Sequence, residues 1–346
     1  MARKGVISLV VPGSLDRITG GNVYDEVVLG ALQARGWETL VVEPGRIPSF
    51  SDLVIVDSLA FRHGPARTNA PSVALVHQLA SEANGREGRA EAERSALQGC
   101  HRVIAVSEWL RRRLETITRS PIEVISPGRD RCFVASSSSL EDGLVLCVGN
   151  AEPEKGVSQA IEAAGVAGRP GSTMVVVGDL EADPREAQMI HAVASAASPR
   201  VLLTGVLSSG ELADLYSKAR VFVTASRYEG WPIAVAEAMA SGVPVVGFDI
   251  PGLRELVRPG TDGLLVAPGD VAALGRALAA LLSNRTLAAA LGASARERAM
   301  GWLTWQECAE RFADTMEGVI RLKRSGAGDA SRNRGYVKGG APGGPA

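Results

Sequence analysis

Residues 221–242 constrain the fold more than any other part of the chain. Val221-Phe222-Val223-Thr224 is an apolar, β-branched run with the length of one buried strand. A polar loop, Ser226-Arg227-Tyr228-Glu229-Gly230, follows it. Pro232 then stands where a first helical residue would, and Gly242 where a helix stops. Strand, loop and helix in immediate succession belong to an open α/β sheet. Such sheets bind ligands in the crevice beyond the carboxyl ends of their strands, into which a following helix aims free N–H groups. Two carboxylates, Glu229 and Glu237, flank this helix start. A phosphate on the helix N-terminus and hydroxyls on the carboxylates would fill it, as a diphosphate with a sugar on either side does.

Similar apolar runs punctuate the rest of the chain. In the first half they are Val6–Val11, Thr39–Val42, Leu53–Val56, Val73–Val76, a run within Cys100–Ser107, and Ile122–Ile125. Leu144–Val148, Thr173–Val177 and Val201–Thr204 lead up to the signature strand. At 346 residues the chain exceeds a single core by the prior of about 150 residues per domain, so two domains are expected. Between the first strand and the first helix lies Gly20-Gly21, a pair that lets the backbone approach a ligand closely. It is not Gly-x-Gly-x-x-Gly, so the dinucleotide fingerprint is missing and a dehydrogenase is disfavoured. Val23, Val27, Ala31 and Ala34 are expected to form that helix's apolar stripe.

Glu229 and Glu237 lie eight positions apart with Gly230 between them, and Ala238-Met239-Ala240-Ser241-Gly242-Val243-Pro244-Val245-Val246 follows. The whole run resembles the Glu-x7-Glu signature of retaining GT-B glycosyltransferases, above all the large family 4 (glycosyl transferases group 1). The resemblance is dense over about 144–268 and mostly architectural before that. It implies an α/β GT-B fold, two Rossmann-like domains facing a central cleft. Residues 1–138 would form the acceptor-side domain and 139–302 the nucleotide-sugar domain. Residues 303–324 would be a helix crossing back to the first domain, opened by the capping-box pattern Thr304-Trp305-Gln306-Glu307 and ending near Leu322. From Ser325 onward small and polar residues dominate, and 325–346 read as a disordered tail; Ser136–Ser139 suits a linker.

The resemblance also assigns roles. Gly149–Gly156 is similar to the family's Gly-Arg-x-x-x-x-Lys-Gly element, whose Arg and Lys grip the donor diphosphate. Lys155 matches, whereas Asn150 replaces the arginine and brings no charge. Pro127 and Arg129 are departures at a turn. Lys155, Glu229 and His77 are the expected catalytic group: Lys155 on the diphosphate, Glu229 on sugar hydroxyls, His77 reaching the donor sugar across the cleft. Gly20, Gly21, Asn150, Val206, Leu207, Gly230, Trp231, Pro232, Ile233, Ala234 and Glu237 are the expected donor-binding residues. Val206 and Leu207 would face the nucleobase and Glu237 the ribose. Tyr24 and Asp25 are expected to line the acceptor pocket, and Glu255 to brace a loop.

The implied reaction moves a sugar from a nucleotide-diphospho-sugar to an acceptor hydroxyl with retention. Small soluble acceptors are favoured; a lipid-headgroup glycosyltransferase, a sugar-nucleotide epimerase or hydrolase, and a non-catalytic binding subunit are the alternatives. Net charge near zero argues against nucleic-acid partners. No Asp-x-Asp and no His/carboxylate cluster is evident, so metal independence and no cofactor beyond the donor are expected. Basic residues beside Trp109 (Arg111, Arg112, Arg113) allow a peripheral membrane contact that is not favoured, since anchoring takes two signals. No apolar run of about 18 residues spans a membrane. Cys100, Cys147 and Cys308 sit in apolar segments and read as buried free thiols, in keeping with a cytoplasmic protein.

Overall fold

The computed structural model describes residues 4–332 apart from 16, 18, 85–88 and 134–142. The proposed linker at 136–139, the boundary at 138/139 and residues 333–346 of the tail therefore lie outside the described residues. Two six-stranded sheets carry the fold. The first holds β1 (Gly5–Val10), β2 (Trp37–Val42), β3 (Leu53–Asp57), β4 (Ser72–Val76), β5 (Arg102–Ala105) and β6 (Ile122–Val124), in the order β2-β1-β3-β4-β5-β6. The second holds β7 (Leu144–Val148), β8 (Thr173–Val177), β9 (Arg200–Gly205), β10 (Val221–Thr224), β11 (Val245–Phe248) and β12 (Gly263–Val266), in the order β12-β11-β10-β7-β8-β9.

Every pairing is parallel. A parallel sheet is covered by helices on both faces, so its central strands need no polar side. That is why β3, β4 and β10 are buried along their whole length and read as continuous apolar runs. Strand order reverses between β1 and β3 in the first sheet and between β7 and β10 in the second, which opens a crevice at the carboxyl end of each. The two crevices face one another: Gly20, after β1, lies against Ile233, after β10.

The first helix, Gly20–Ala34, is capped by Thr19, whose side chain accepts from the Asn22 N–H at 3.1 Å. Its buried residues are Tyr24, Asp25, Val28, Leu29 and Leu32, one position on from the expected stripe of Val23, Val27, Ala31 and Ala34. The expected stripe followed small apolar residues; the helix instead buries its largest side chains, which gain more by leaving water. The chain passes between the sheets twice, side by side. Arg129 N–H donates to the Leu303 carbonyl at 2.8 Å, and a side chain on Gly128 would strike the Trp305 backbone at 2.2 Å. The last helix, Trp305–Arg332, then sets Cys308, Phe312, Met316 and Ile320 into the first sheet's core. It runs to Arg332, ten residues past the end near Leu322 that the sequence pattern suggests. Gly326 and Gly328 cost helix propensity, but continuing an established helix costs far less than starting one. Cys100, Cys147 and Cys308 are buried free thiols, and Cys132 is exposed.

Candidate active site

β10 delivers the chain into a loop whose shape depends on two glycines. A methyl group on Gly230 would lie 1.8 Å from the His77 carbonyl oxygen, and one on Gly252 would lie 2.1 Å from the Glu229 carbonyl oxygen. Neighbouring backbone fills both spaces, so only glycine lets Glu229 and the end of β4 come together. The helix Ile233–Ala240 follows, with Pro232 as its cap and not its first residue, and with no side chain on its leading N–H groups. Gly20 heads the opposing helix, and a methyl there would touch Ile233 Cδ1 at 3.3 Å. Two positive helix ends thus converge on one point of the cleft.

Lys155 enters from the second crevice. It ends a short turn, Pro153–Lys155, and the next residue, Gly156, has φ of 59° and sits against the Ala225 carbonyl oxygen. Lys155 Nζ donates to Glu229 Oε1 at 2.8 Å and Oε2 at 3.0 Å. Burial alone would lower the ammonium pKa, but the Glu229 carboxylate outweighs it and holds Lys155 above its ordinary value. Asn150 is turned aside: its Oδ1 accepts from the Asp179 N–H at 2.9 Å and braces the neighbouring loop. A cation does stand near the missing arginine's place. Arg17, from the opposite unit, bonds to Glu152 at 2.9 Å and Asp179 at 3.2 Å.

Glu237 sits one helical turn deeper beside Tyr216. The Tyr216 hydroxyl lies 3.0 Å from the Ala234 carbonyl oxygen and 3.1 Å from Glu237 Oε2. A hydroxyl has a single hydrogen. With that hydrogen on Ala234, a protonated Glu237 completes the second contact, and burial pushes the Glu237 carboxyl from 4.5 up to about 8. Val206 is exposed and Leu207 half-buried, on the turn that follows β9 at the sheet edge.

Some expected residues face elsewhere. Tyr24 is fully buried, its hydroxyl donates to the Ile125 carbonyl at 3.0 Å, and its ring packs on Trp305 and Phe312. Asp25 is fully buried too, 3.0 Å from His77 Nε2. Neither lines a pocket, because the helix turns its bulky side inward. Trp231 leaves the donor crevice and packs edge-on against Trp302, ring centroids 5.8 Å apart. Both tryptophans border a cavity of about 480 Å³ at the interdomain crossing.

Two contributors, Asp57 and Tyr228, carry no expected role, and a third, Glu255, does more than expected. Asp57, at the end of β3, lies 3.4 Å from His77 Nε2. The Tyr228 hydroxyl accepts from the Leu79 N–H at 2.9 Å, joining the signature loop to the first unit. Glu255 goes further than bracing a loop: its carboxylate accepts from the Glu108 and Trp109 N–H groups at 2.9 and 3.1 Å, at the start of the helix Glu108–Leu114. A buried acid closing an apolar strand was the available signal for Asp57; nothing in the sequence pairs 255 with 108. Asp25, Asp57 and His77 also correct the expectation that no His/carboxylate cluster exists. Their side-chain atoms lie close enough together to share a proton or hold a cation. Trp109 is packed on Tyr228 at 5.6 Å, and its basic neighbours are paired, Arg111 with Glu108 and Glu115 and Arg113 with Glu82.

This geometry has relatives. The family model described as glycosyl transferases group 1 matches residues 129–298, and that for glycosyltransferase family 4 matches 51–131. The chain belongs to the glycosyl transferases group 1 family. A glycogen synthase of Mycobacterium tuberculosis is 30% identical over 282 residues, 74% of this chain and 65% of the relative. The alpha-D-kanosaminyltransferase of Streptomyces kanamyceticus is 34% identical over 146 residues, 42% of this chain and 37% of that protein. The chain therefore spans less than two thirds of the curated relatives it matches. Sucrose-phosphate synthase from Thermosynechococcus elongatus superposes with a TM-score of 0.79 at 22% identity, covering 92% of this chain and all of that one. Anabaena HepE, solved with UDP and glucose, gives 0.77 at 18% identity over 91% of this chain. The two facing parallel sheets are thus a GT-B fold.

Proposed function

We propose that this group 1 glycosyltransferase moves a sugar from a nucleotide-diphospho-sugar to the hydroxyl of a small soluble acceptor, with retention at the anomeric carbon. The carrying observation is Lys155 held on Glu229 beside two converging helix N-termini. An incoming diphosphate would take over Lys155 and lie on the uncapped N–H groups of the 233–240 helix. Glu229, released, would accept from sugar hydroxyls, and Glu237 from the ribose. The chemistry asked of the protein is then electrostatic stabilisation of the leaving diphosphate, which itself takes the acceptor's proton. No step in this scheme uses a metal or further cofactor.

A soluble acceptor is favoured by the paired state of Arg111 and Arg113, which leaves little free basic charge for an anionic surface. HepE's crystals held UDP-glucose, which makes that compound the first donor to try. A thermal-shift screen of UDP, GDP, ADP and dTDP sugars, followed by NMR of the product's anomeric proton, tests the reading. Stabilisation by one sugar nucleotide and an unchanged anomeric configuration are expected. Inversion, or turnover of donor to an epimer without any acceptor, would refute it.

A further inference from the structure

We propose that Asp25 and Asp57 are positioning residues that hold His77 as an imidazolium, its Nε2–H between their carboxylates and its Nδ1–H offered to an oxygen of the bound sugar nucleotide. The ligand assignment rests on the nucleotide-sugar reading above; the proton-holding trio does not.

Asp25 is 0% exposed and Asp57 1% exposed. A carboxylate taken out of water needs a cation or several donors. Asp57 Oδ1 accepts from the Leu59 N–H, but among the described residues Asp25 Oδ2 has no hydrogen-bond partner at all. Among the described residues neither Lys nor Arg joins the group. His77 Nε2 lies 3.0 Å from Asp25 Oδ1 and 3.4 Å from Asp57 Oδ2, so a hydrogen on that nitrogen is within reach of both carboxylates. That turns Nδ1 into the ring nitrogen without a partner among the described residues. Tyr24 also packs on the ring, 5.3 Å away and edge-on, and the start of the first helix lies over it, where a methyl on Gly21 would sit 3.4 Å from His77 Cδ2; Gly230 of the signature loop meets the His77 carbonyl and not the ring.

The protonation states agree with that geometry. Burial pulls His77 down, but Asp25 first and Asp57 second outweigh it and hold the imidazole above its ordinary value. Asp57 is pushed up by burial, against the pull of His77, to about 7. His77 itself caps β4, with its carbonyl on Gly230 and its N–H donating to Ser58 Oγ at 3.2 Å. The backbone fixes where the ring stands, and the two carboxylates fix which nitrogen and which charge it presents.

The chain has four histidines, so the His77 Cε1–H resonance can be assigned with His77→Gln and titrated directly. Wild type is expected to titrate above the ordinary imidazole value of about 6.5. Asp25→Asn and Asp57→Asn should each lower that midpoint by about 1 pH unit, with Asp25→Asn the larger. UDP-glucose added to the same samples should move the wild-type resonance and bind about 10-fold more weakly to each variant, as when one charged hydrogen-bond partner is lost. If a variant fails to fold, Asp25→Glu and Asp57→Glu, which keep the charge, should hold the wild-type midpoint. A wild-type midpoint at or below 6.5, or one indifferent to both asparagine changes, overturns the trio. A raised and responsive midpoint with no response to any of the four nucleotide sugars would instead sink the nucleotide-sugar reading.

Discussion

At the residue scale the site is a set of charges that satisfy each other until a ligand arrives. Lys155 bonds Glu229 through both carboxylate oxygens, so Lys155→Ala removes a cation and also strands an acid. We expect kcat to fall about 10²–10³-fold in that variant, as for loss of one electrostatic group, with Lys155→Arg retaining far more. Steady-state kinetics with the active donor check this; a near-normal kcat in the alanine variant contradicts it. Glu237 gives a second expectation. Its folded pKa of about 8 lies above the usual 4.5, so between those values the native state binds more protons than the unfolded one. Stability contributed by this group is present at low pH and lost as pH rises through about 8. Glu237→Gln should therefore resist urea better than wild type at pH 9 and equally at pH 4.5, with the gain of order a few kcal/mol. Equal urea midpoints at both pH values would show that Glu237 is not buried as described. These partners were only half legible. The Glu229…Glu237 spacing and Lys155 stand out in the chain, but Lys155–Glu229 spans 74 positions and Tyr216–Glu237 spans 21, contacts that only the crossover topology creates.

At the element scale, the strands were the most readable part, because a doubly covered parallel sheet demands unbroken apolar runs and the chain supplies them. Helix faces were less so. The 20–34 helix buries Tyr24 and Asp25, since Tyr24 finds the Ile125 carbonyl and Asp25 finds His77, partners invisible to periodicity. Loop geometry rests on the glycines. Gly156 combines a positive φ of 59° with the Ala225 carbonyl 2.2 Å from any added methyl. Gly156→Ala should cost more than about 1 kcal/mol and displace Lys155, lowering both the unfolding midpoint and activity. A fully stable, fully active alanine variant would mean the turn is built otherwise. The end of the last helix was misread for a related reason: composition alone registers the glycines after Ser325, and not the folded helix that reaches them.

At the scale of the whole molecule, both units contribute to one cleft. Tyr228 on Leu79, Glu255 on the 108–114 helix and Arg17 on Glu152 and Asp179 all cross it. Because Arg111 and Arg113 already have acidic partners, the wild type should stay in the supernatant with phosphatidylserine vesicles at 0.15 M salt. Arg111, Arg112 and Arg113 changed together to Gln should then keep full activity; vesicle binding lost along with activity in that variant would favour a lipid acceptor. On the proposed function, the cleft holds a nucleoside diphosphate with Lys155 on its phosphates and Glu237 on its ribose. Calorimetric titration of UDP, GDP, ADP and dTDP into wild type, Lys155→Ala and Glu237→Ala tests it most directly. The account predicts saturable binding of one nucleotide to wild type, weakened roughly 10- to 100-fold by Lys155→Ala, the worth of one charge-assisted hydrogen bond, and about 2- to 10-fold by Glu237→Ala, whose neutral carboxyl makes an ordinary one. Binding unchanged in both variants, or no binding of any of the four nucleotides to the wild type, would contradict it.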